Sequence, residues 1–214
     1  DYCAEEVADH ALALILDLWR RIAAYDRAIR GGRWDFRLGR PIARLAGRVL
    51  GLIGVGRAGA LLARKAGGVG LRVWGHGPFV PAWPADVRRA SLDEILAEAD
   101  IVSLHVPLTP ATRHLIDEAA LRRMKPSAFL INTSRGGIVD TAALCRALGG
   151  GRIAGAGLDV LEQEPPPADS PLFSLPNVVL TPHAAFYSED SIADLKRKAA
   201  EAVAAALRGE HPAS

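Results

Sequence analysis

The sequence has 214 residues, 50% of them hydrophobic, and 26 basic against 24 acidic side chains give a formal net charge of +2. This length suits one domain, or one domain with part of another, and the apolar share is large enough to exclude a disordered chain. The near balance of charge gives no electrostatic reason to expect a nucleic acid or a membrane surface as partner.

The two cysteines, Cys3 and Cys145, lie outside any CxxC or Cys/His cluster. We therefore expect reduced thiols, no metal site and a cytoplasmic protein. The longest apolar run, 11–16, is too short to cross a bilayer, and no signal peptide is visible. The sequence starts without Met, so we expect a fragment or a chain that lacks an N-terminal region.

The first predicted element is a helix over 5–30, where apolar residues recur at helical spacing before Gly31 and Gly32. One face of this helix is strongly apolar and must pack against something. An ordinary core helix and a helix at a subunit or domain interface explain that face equally well.

From Arg48 onward, short apolar runs alternate with helical patterns. The runs predict strands at 49–53, 71–74, 101–104, 128–132, 153–158 and 178–180. The helical patterns lie at 60–66, 91–98, 117–124, 141–148 and 188–207, and Ser91 with Glu94 forms a capping box. Because the strands are continuous apolar runs, we expect an α/β fold, a doubly wound (Rossmann) parallel sheet with helices on both faces.

A glycine motif, Gly54-Val55-Gly56-Arg57-Ala58-Gly59, follows the first strand and precedes a helix. In this context a GxGxxG motif binds a dinucleotide. Gly54 permits the tight turn, Gly56 lets the backbone approach the pyrophosphate, and Gly59 lets the helix pack close to the strand. The alternative is a glycine-rich turn without a ligand.

The second strand of such a unit usually ends in an acidic residue that binds the ribose hydroxyls, here expected near position 77. The sequence has Gly77 there, with no Arg beside it to take a 2′-phosphate. Arg88 and Arg89 are the nearest basic candidates, and a solvated surface pair is the simpler interpretation of them. The choice between NAD and NADP therefore stays open.

Three chemically capable side chains follow three strands: Arg135, Glu164 and His183. Ligands of open parallel sheets bind at the carboxyl ends of the strands. A His is a proton donor near neutral pH, a carboxylate beside it favours the imidazolium, and an Arg can bind a substrate carboxylate. Each residue alone is more often structural or solvated. The combination predicts reduction of a 2-oxo acid, with Asp159 and Glu162 as further candidate acids.

Four runs of the sequence resemble the D-isomer-specific 2-hydroxyacid dehydrogenases: VSLHVPLTPATRHLI, INTSRGGIVD, GLDVLEQEP and NVVLTPHAAF. The runs DYCAEEVADHALALIL and HAAFYSEDS are most similar to the C-terminal-binding-protein-like branch, although Phe186 stands where its corepressors carry Trp. The resemblance implies hydride transfer between NAD(P)(H) and a small 2-oxo acid or D-2-hydroxy acid. It assigns substrate binding to Arg135, proton donation to His183, and the role of partner of that His to Glu164.

The resemblance also implies a cofactor site made of Gly54, Gly56, Arg57, Ala58, Gly59, Gly77, Thr133, Ser134, Arg135, Asp159 and His183. Asp159 would contact the nicotinamide carboxamide, Arg57 and Ala58 would face the pyrophosphate, and Thr133 and Ser134 would line the cleft. NAD is the expected cofactor, and NADP is the alternative because Gly77 replaces the usual acid.

The family pattern predicts an interdomain or dimer-interface helix over 1–32, a dinucleotide-binding domain over 33–186, and a C-terminal helix over 187–214. That helix would lead back to a flavodoxin-like substrate domain, which we expect to be largely missing. The resemblance implies a homodimer that acts on a small molecule. The alternative function is a dimeric, nicotinamide-sensing regulator of the corepressor type, since such regulators retain the same three residues.

Overall fold

The computed structural model describes residues 2–77, 80 and 82–210, so Asp1 and 211–214 of the predicted terminal segments lie outside the described residues. These residues form a seven-stranded sheet in the order β3-β2-β1-β4-β5-β6-β7, in which all neighbours are parallel. The strands are β1 (Val49–Ile53), β2 (Arg72–His76), β3 (Arg88–Arg89), β4 (Ile101–Leu104), β5 (Phe129–Asn132), β6 (Gly155–Leu158) and β7 (Val178–Leu180). The predicted doubly wound parallel sheet is confirmed.

Helices cover both faces of this sheet. They are α1 (Ala4–Arg20), α2 (Ile22–Arg30), α3 (Arg57–Gly68), α4 (Leu92–Glu98), α5 (Glu118–Arg123), α6 (Thr141–Gly149) and α7 (Glu189–Leu207). Buried side chains form two clusters, one with α1 and α3 and the other with α4, α5 and α6. Because successive strand residues point to opposite faces, Leu50 and Leu52 join the first cluster, whereas Val49 and Ile53 join the second.

The single helix predicted over 5–30 is wrong, because the chain leaves the helix at Arg21. This residue has left-handed backbone angles (φ 59°, ψ 33°) between α1 and α2. The carboxylate of Asp17 accepts the N–H of Ala23 at 2.7 Å, which satisfies a donor freed by the break. The Arg21 guanidinium lies 5.2 Å from the centre of the Phe129 ring. The sequence pattern does not indicate this break, because neither glycine nor proline stands there.

Helix α1 packs directly on the sheet. A Cβ at Gly157 in β6 would lie 3.1 to 3.2 Å from side-chain atoms of Leu14 and Leu18, so the missing side chain lets the helix approach closely. Trp19 adds a ring contact of 5.8 Å to Phe129 in β5. The apolar face of α1 is therefore part of this core, and its role in a dimer interface stays a prediction.

Strand β3 was missed by the sequence analysis, because it contains only two arginines and no apolar run. It pairs with β2, with Trp74 opposite Arg88. The Arg88 guanidinium lies 4.0 Å from the centre of the Trp74 ring and donates to Glu94 at 2.9 Å, whereas Arg89 lies 4.3 Å from the Trp83 ring. Both arginines are exposed, as predicted, but each stacks on an indole.

The capping box of α4 is confirmed, since Ser91 accepts the Glu94 N–H and Glu94 accepts the Ser91 N–H. The long helix α7 is also confirmed and leaves apolar side chains exposed, including Leu195, Val203 and Leu207. In the part of the chain that the structure describes, no helix is long and apolar enough to cross a membrane.

Candidate active site

Two glycines of the motif are required by packing alone. A Cβ at Gly54, whose φ is +98°, would lie 2.3 Å from the carbonyl oxygen of His105, and a Cβ at Gly59 would lie 2.4 Å from the carbonyl oxygen of Gly54. The Gly54 N–H also donates to the His76 carbonyl at 2.8 Å. These glycines therefore fix the turn between β1 and α3 whether or not a ligand binds.

Gly56 differs from its neighbours, because a Cβ added there would meet no atom within 4 Å. It is exposed, and it is the N-cap of the 12-residue helix α3, which no side chain caps. Arg57 and Ala58 form the first turn of this helix, as the motif predicts. Open space beside an uncapped helix N-terminus suits a phosphate group, since the backbone N–H groups and the helix dipole both favour an anion.

Thr133 supplies the second indication of a ligand. It follows β5, and its buried Oγ1 has no hydrogen-bond partner in the residues that the structure describes. Ser134 donates its hydroxyl to the Leu104 carbonyl at 2.8 Å, and its place in the lining of the cleft stays a prediction. A buried hydroxyl without a partner costs about 1–3 kcal/mol, so Thr133 and Gly56 together fit a bound dinucleotide.

Gly77 follows β2 and lies beside the glycine loop, where the sequence placed it. A Cβ there would be 3.6 Å from the Val55 backbone nitrogen and 3.9 Å from the Trp83 ring. Trp83, on which Arg89 stacks, therefore lies close to Gly77.

His183 and Glu164 form a tight pair. The Nδ1 atom of His183 lies 2.6 Å from Oε2 of Glu164, and both side chains are partly exposed. The other carboxylate oxygen of Glu164 accepts the N–H of Leu161 at 2.8 Å. Both oxygens of Glu164 are therefore engaged, and Nε2 is the imidazole nitrogen of His183 left to face a ligand.

Glu162, the weaker candidate acid, has a different partner. Its Oε1 lies 2.6 Å from His114 Nε2, and its Oε2 accepts the Thr141 N–H at 3.1 Å. Burial alone would raise the pKa of Glu162, but the hydrogen bonds from His114 and Thr141 outweigh it and hold this pKa below its usual value. The structure thus pairs Glu164 with His183, as the family resemblance implies, and gives Glu162 a different histidine as partner.

Asp159 is buried and shapes the turn that carries His183. Its Oδ1 accepts the Thr181 hydroxyl at 2.6 Å and the Ala184 N–H at 2.8 Å, and its Oδ2 accepts the Ala185 N–H at 2.9 Å. His183 itself has a left-handed φ of 55°, and its N–H donates to the Asp159 carbonyl at 2.8 Å. This bracing role was not predicted, and contact of Asp159 with the nicotinamide stays a prediction.

Arg135 lies at the same edge of the sheet, but no hydrogen bond or ion pair joins it to His183 or Glu164 among the residues that the structure describes. The Asn132 side chain donates to the Arg135 carbonyl at 3.0 Å, and the exposed guanidinium donates to the Ser134 carbonyl at 2.6 Å. The backbone of Arg135 is thus fixed at the end of β5 while its side chain remains at the surface.

A cavity of about 400 Å³ adjoins the pair. Its walls are mainly apolar, and its lining includes no residue of the glycine loop. The lining residues are Asp159, Leu161, Glu164, Pro165, Pro166, Phe173, Leu180, Thr181, Pro182 and His183. The cavity therefore lies next to the imidazole of His183, on the side of β7. It is distinct from the open space beside Gly56.

His105 lies directly under the glycine loop and was not singled out by the sequence analysis. Its ring Nε2 lies 2.9 Å from the Ser103 hydroxyl, and its backbone N–H donates to the Ile53 carbonyl at 2.7 Å. Burial lowers the pKa of His105 from 6.5 to about 4. The glycine loop therefore rests on a histidine that is neutral at pH 7.

We expect His105 to make the fold sensitive to mild acid. Between pH 6.5 and pH 4 the unfolded chain binds a proton at this position and the folded chain does not, so the free energy of unfolding should fall by about 3 kcal/mol. Urea unfolding of the wild type and of His105→Gln at pH 7 and pH 4.5 measures this. The pH dependence should be weaker in His105→Gln than in the wild type or in the control His76→Gln, and equal pH dependence in all three would contradict the assignment.

Residues 12–185 match the family model described as D-isomer specific 2-hydroxyacid dehydrogenase, NAD binding domain. The chain is 46% identical to a glyoxylate reductase of Korarchaeum cryptofilum over 215 residues, which cover 97% of this chain and 64% of that enzyme. It thus spans less than two thirds of the length of this relative.

Solved structures agree with this match. A D-isomer specific 2-hydroxyacid dehydrogenase from Lactobacillus delbrueckii ssp. bulgaricus, in its NAD-complexed form, superposes with a TM-score of 0.90 at 35% identity, over 100% of this chain and 70% of that one. An acyclic imino acid reductase in complex with NADPH and D-Arg gives a TM-score of 0.90 at 32% identity, over 99% of this chain and 67% of that one. The resemblance to the C-terminal-binding-protein-like branch stays a prediction. The chain belongs to the D-isomer-specific 2-hydroxyacid dehydrogenase family, and its residues 12–185 are the NAD-binding domain of that family.

Proposed function

We propose that the protein is an oxidoreductase that transfers a hydride between NAD(P)(H) and a small 2-oxo acid or D-2-hydroxy acid. The observation that carries this proposal is the 2.6 Å contact between His183 and Glu164 at the carboxyl edge of a dinucleotide-binding sheet. Similarity to a glyoxylate reductase supports it, since that enzyme's name describes reduction of a 2-oxo acid.

In this mechanism His183 gives the proton to the substrate oxygen through Nε2, or takes it in the reverse direction. Glu164 binds Nδ1 and keeps the ring oriented, so that Nε2 faces the substrate. The Leu161 N–H restrains the other oxygen of Glu164, so the carboxylate cannot easily rotate away from the imidazole. The pair is thus prepared for proton transfer before a substrate arrives.

Arg135 is proposed to bind the carboxylate of the substrate. A guanidinium can form two parallel hydrogen bonds to a carboxylate and also polarise a neighbouring carbonyl. Its backbone is held by Asn132, and its side chain lies at the surface beside the sheet edge that carries His183. Any 2-oxo acid offers the carboxylate that this residue requires, so the substrate class follows without a choice of individual acid.

Gly56 and the N-terminus of α3 would hold the pyrophosphate of the cofactor, and the Thr133 hydroxyl would bind a polar group deeper in the cleft. The nicotinamide supplies the hydride when it is bound. NAD is the expected cofactor, and NADP remains the alternative because Gly77 provides no carboxylate to repel a 2′-phosphate.

Gly56→Ala tests the cofactor site without disturbing the fold. A methyl group at Gly56 meets no protein atom within 4 Å, but it would occupy space that the pyrophosphate needs. Overpacking by about 1–3 kcal/mol corresponds to an increase of about 5- to 150-fold in the dissociation constant. Fluorescence titration with NADH and with NADPH measures the dissociation constant for the wild type, for Gly56→Ala and for a control variant in the same helix.

Gly67→Ala is the matched control, because a Cβ at Gly67 in the last turn of α3 also meets nothing within 4 Å. It should bind as tightly as the wild type. Equal affinity in Gly56→Ala would refute the glycine-loop site. The proposed function would be refuted if the wild-type protein bound neither NADH nor NADPH. It would also be refuted if the protein oxidised neither nucleotide in the presence of a 2-oxo acid.

We also infer a homodimer in the cytoplasm. The dimer is supported by exposed apolar side chains on α2 and in the turn after it, among them Ile22, Ile29, Trp34 and Phe36. The location is supported by Cys3 and Cys145, which are both free thiols. Sedimentation as a monomer would argue against the dimer.

A further inference from the structure

The structure contains a second histidine–carboxylate pair, which the proposed reaction does not use. His114 Nε2 lies 2.6 Å from Glu162 Oε1, and both side chains are only partly exposed. His114 belongs to the loop after β4, and Glu162 belongs to the loop after β6 that also carries Glu164. The pair therefore joins two loops at the carboxyl edge of the sheet.

The backbone of His114 is anchored to the segment that follows Arg135. Its N–H donates to the Gly137 carbonyl at 2.9 Å, and two residues later the Ile116 N–H donates to Ile138 at 3.0 Å. His114 has a left-handed φ of 51°, which only a few per cent of residues other than glycine adopt, Asn, Asp and His more often than the rest. Such backbone strain persists where the surrounding structure imposes it, and it is concentrated at functional sites.

Glu162 is fixed just as firmly on its own side. Its second oxygen accepts the N–H of Thr141 at the start of α6. The neighbouring Leu161 packs against Gly136, where a Cβ would lie 1.9 Å from the Leu161 carbonyl carbon, and the Leu161 N–H holds Glu164. The turn 161–164 is thus pressed against the segment that begins at Arg135.

We propose that His114 and Glu162 are positioning residues, whose contact locks the loop of Glu164 against the loop of Arg135. The lock sets the place of the His183–Glu164 pair relative to the guanidinium that is proposed to bind the substrate. Neither His114 nor Glu162 touches the substrate in this arrangement. The inference rests on the proposed function, because it assigns a role in that reaction.

Two substitutions of His114 test the lock. His114→Ala removes the contact to Glu162, whereas the amide nitrogen of His114→Gln can reach the place of Nε2 and donate to the same oxygen. A misplacement of a reacting group by about 1 Å can cost about 100-fold in rate. We therefore expect a drop of about 10-fold or more in kcat/KM for the 2-oxo acid in His114→Ala, with substantial recovery in His114→Gln. The dissociation constant of NADH should stay unchanged in both, because the glycine loop is not involved.

A spectroscopic measurement makes the test independent of turnover. The proton on His183 Nδ1 in a 2.6 Å contact with a carboxylate should give a downfield NMR signal in the wild type, and this signal should weaken or move in His114→Ala and return in His114→Gln. An unchanged signal together with unchanged kcat/KM would overturn the proposal, as would equal losses in both variants. A wild type without turnover would count against the proposed function alone, since the NMR comparison still decides whether His114 positions the pair.

Discussion

Replacing His183 by Asn is expected to lower kcat by about 10²- to 10⁴-fold, the usual contribution of a general acid or base. Asn suits this position because the backbone is left-handed, with φ of 55°, and Asn adopts that conformation more readily than most residues. The shorter amide can still reach towards Glu164, but nothing replaces Nε2. The substitution thus removes the proposed proton donor while it preserves the turn.

Steady-state kinetics with NADH and a 2-oxo acid measure this effect, and fluorescence titration with NADH on the same sample is the control. We expect unchanged nucleotide binding, because Gly56 and the N-terminus of α3 do not depend on the imidazole. Retention of the wild-type kcat would refute the role of proton donor. The same experiment separates the enzyme from the regulator of the corepressor type, for which dimerisation should follow cofactor occupancy and useful turnover should be absent in the wild type itself.

The fold could be predicted to a large extent because its signals are local. The buried strands are short apolar runs, so β1 and β4 were predicted with their observed bounds, and Ser91 with Glu94 marked the start of α4. The misses occur where tertiary contacts decide the conformation. Arg21 leaves the helix beside Asp17 and the ring of Phe129, and β3 exists because two arginines pair with the edge of β2.

The position of the candidate site was predicted from the strand ends, whereas the pairing of Glu164 with His183 was expected only from the family resemblance. Strand order brings the ends of β5, β6 and β7 together, so residues 135, 164 and 183 were expected at one edge of the sheet. Which of two glutamates, only two positions apart, meets His183 depends on the path of a loop, and sequence spacing does not specify that path. The same limit hid His114, whose partner lies 48 residues away.

The glycine motif illustrates a related distinction. The sequence assigns a separate reason to each of its three glycines, and the structure separates those reasons by what a Cβ would meet. Gly54 and Gly59 are closed in by backbone atoms, whereas the space at Gly56 is open. Packing therefore explains two of the three glycines, and only the remaining one argues for a ligand.

Replacing Asp159 by Asn is expected to lower the free energy of unfolding by about 3 kcal/mol, the upper part of the range for an unsatisfied buried polar group. The carboxylate is 2% exposed and accepts three hydrogen bonds from the turn 181–185. An amide has only one acceptor oxygen, so its NH₂ group must face either the Ala185 N–H or the donors on the other side. The turn that presents His183 should loosen, and kcat should fall with stability.

Asp169→Asn is the matched control, because Asp169 is exposed in the Pro-rich loop and its replacement should leave the stability unchanged. Urea unfolding, kcat and NADH affinity are measured for both variants. Loss of stability and of kcat with intact NADH affinity would mean that Asp159 acts through the turn. Loss of NADH affinity at wild-type stability would instead support the contact with the nicotinamide carboxamide that the family resemblance implies. A variant that matches the wild type in all three measurements would contradict both roles, because three hydrogen bonds to a buried carboxylate cannot all be replaced by one amide without cost.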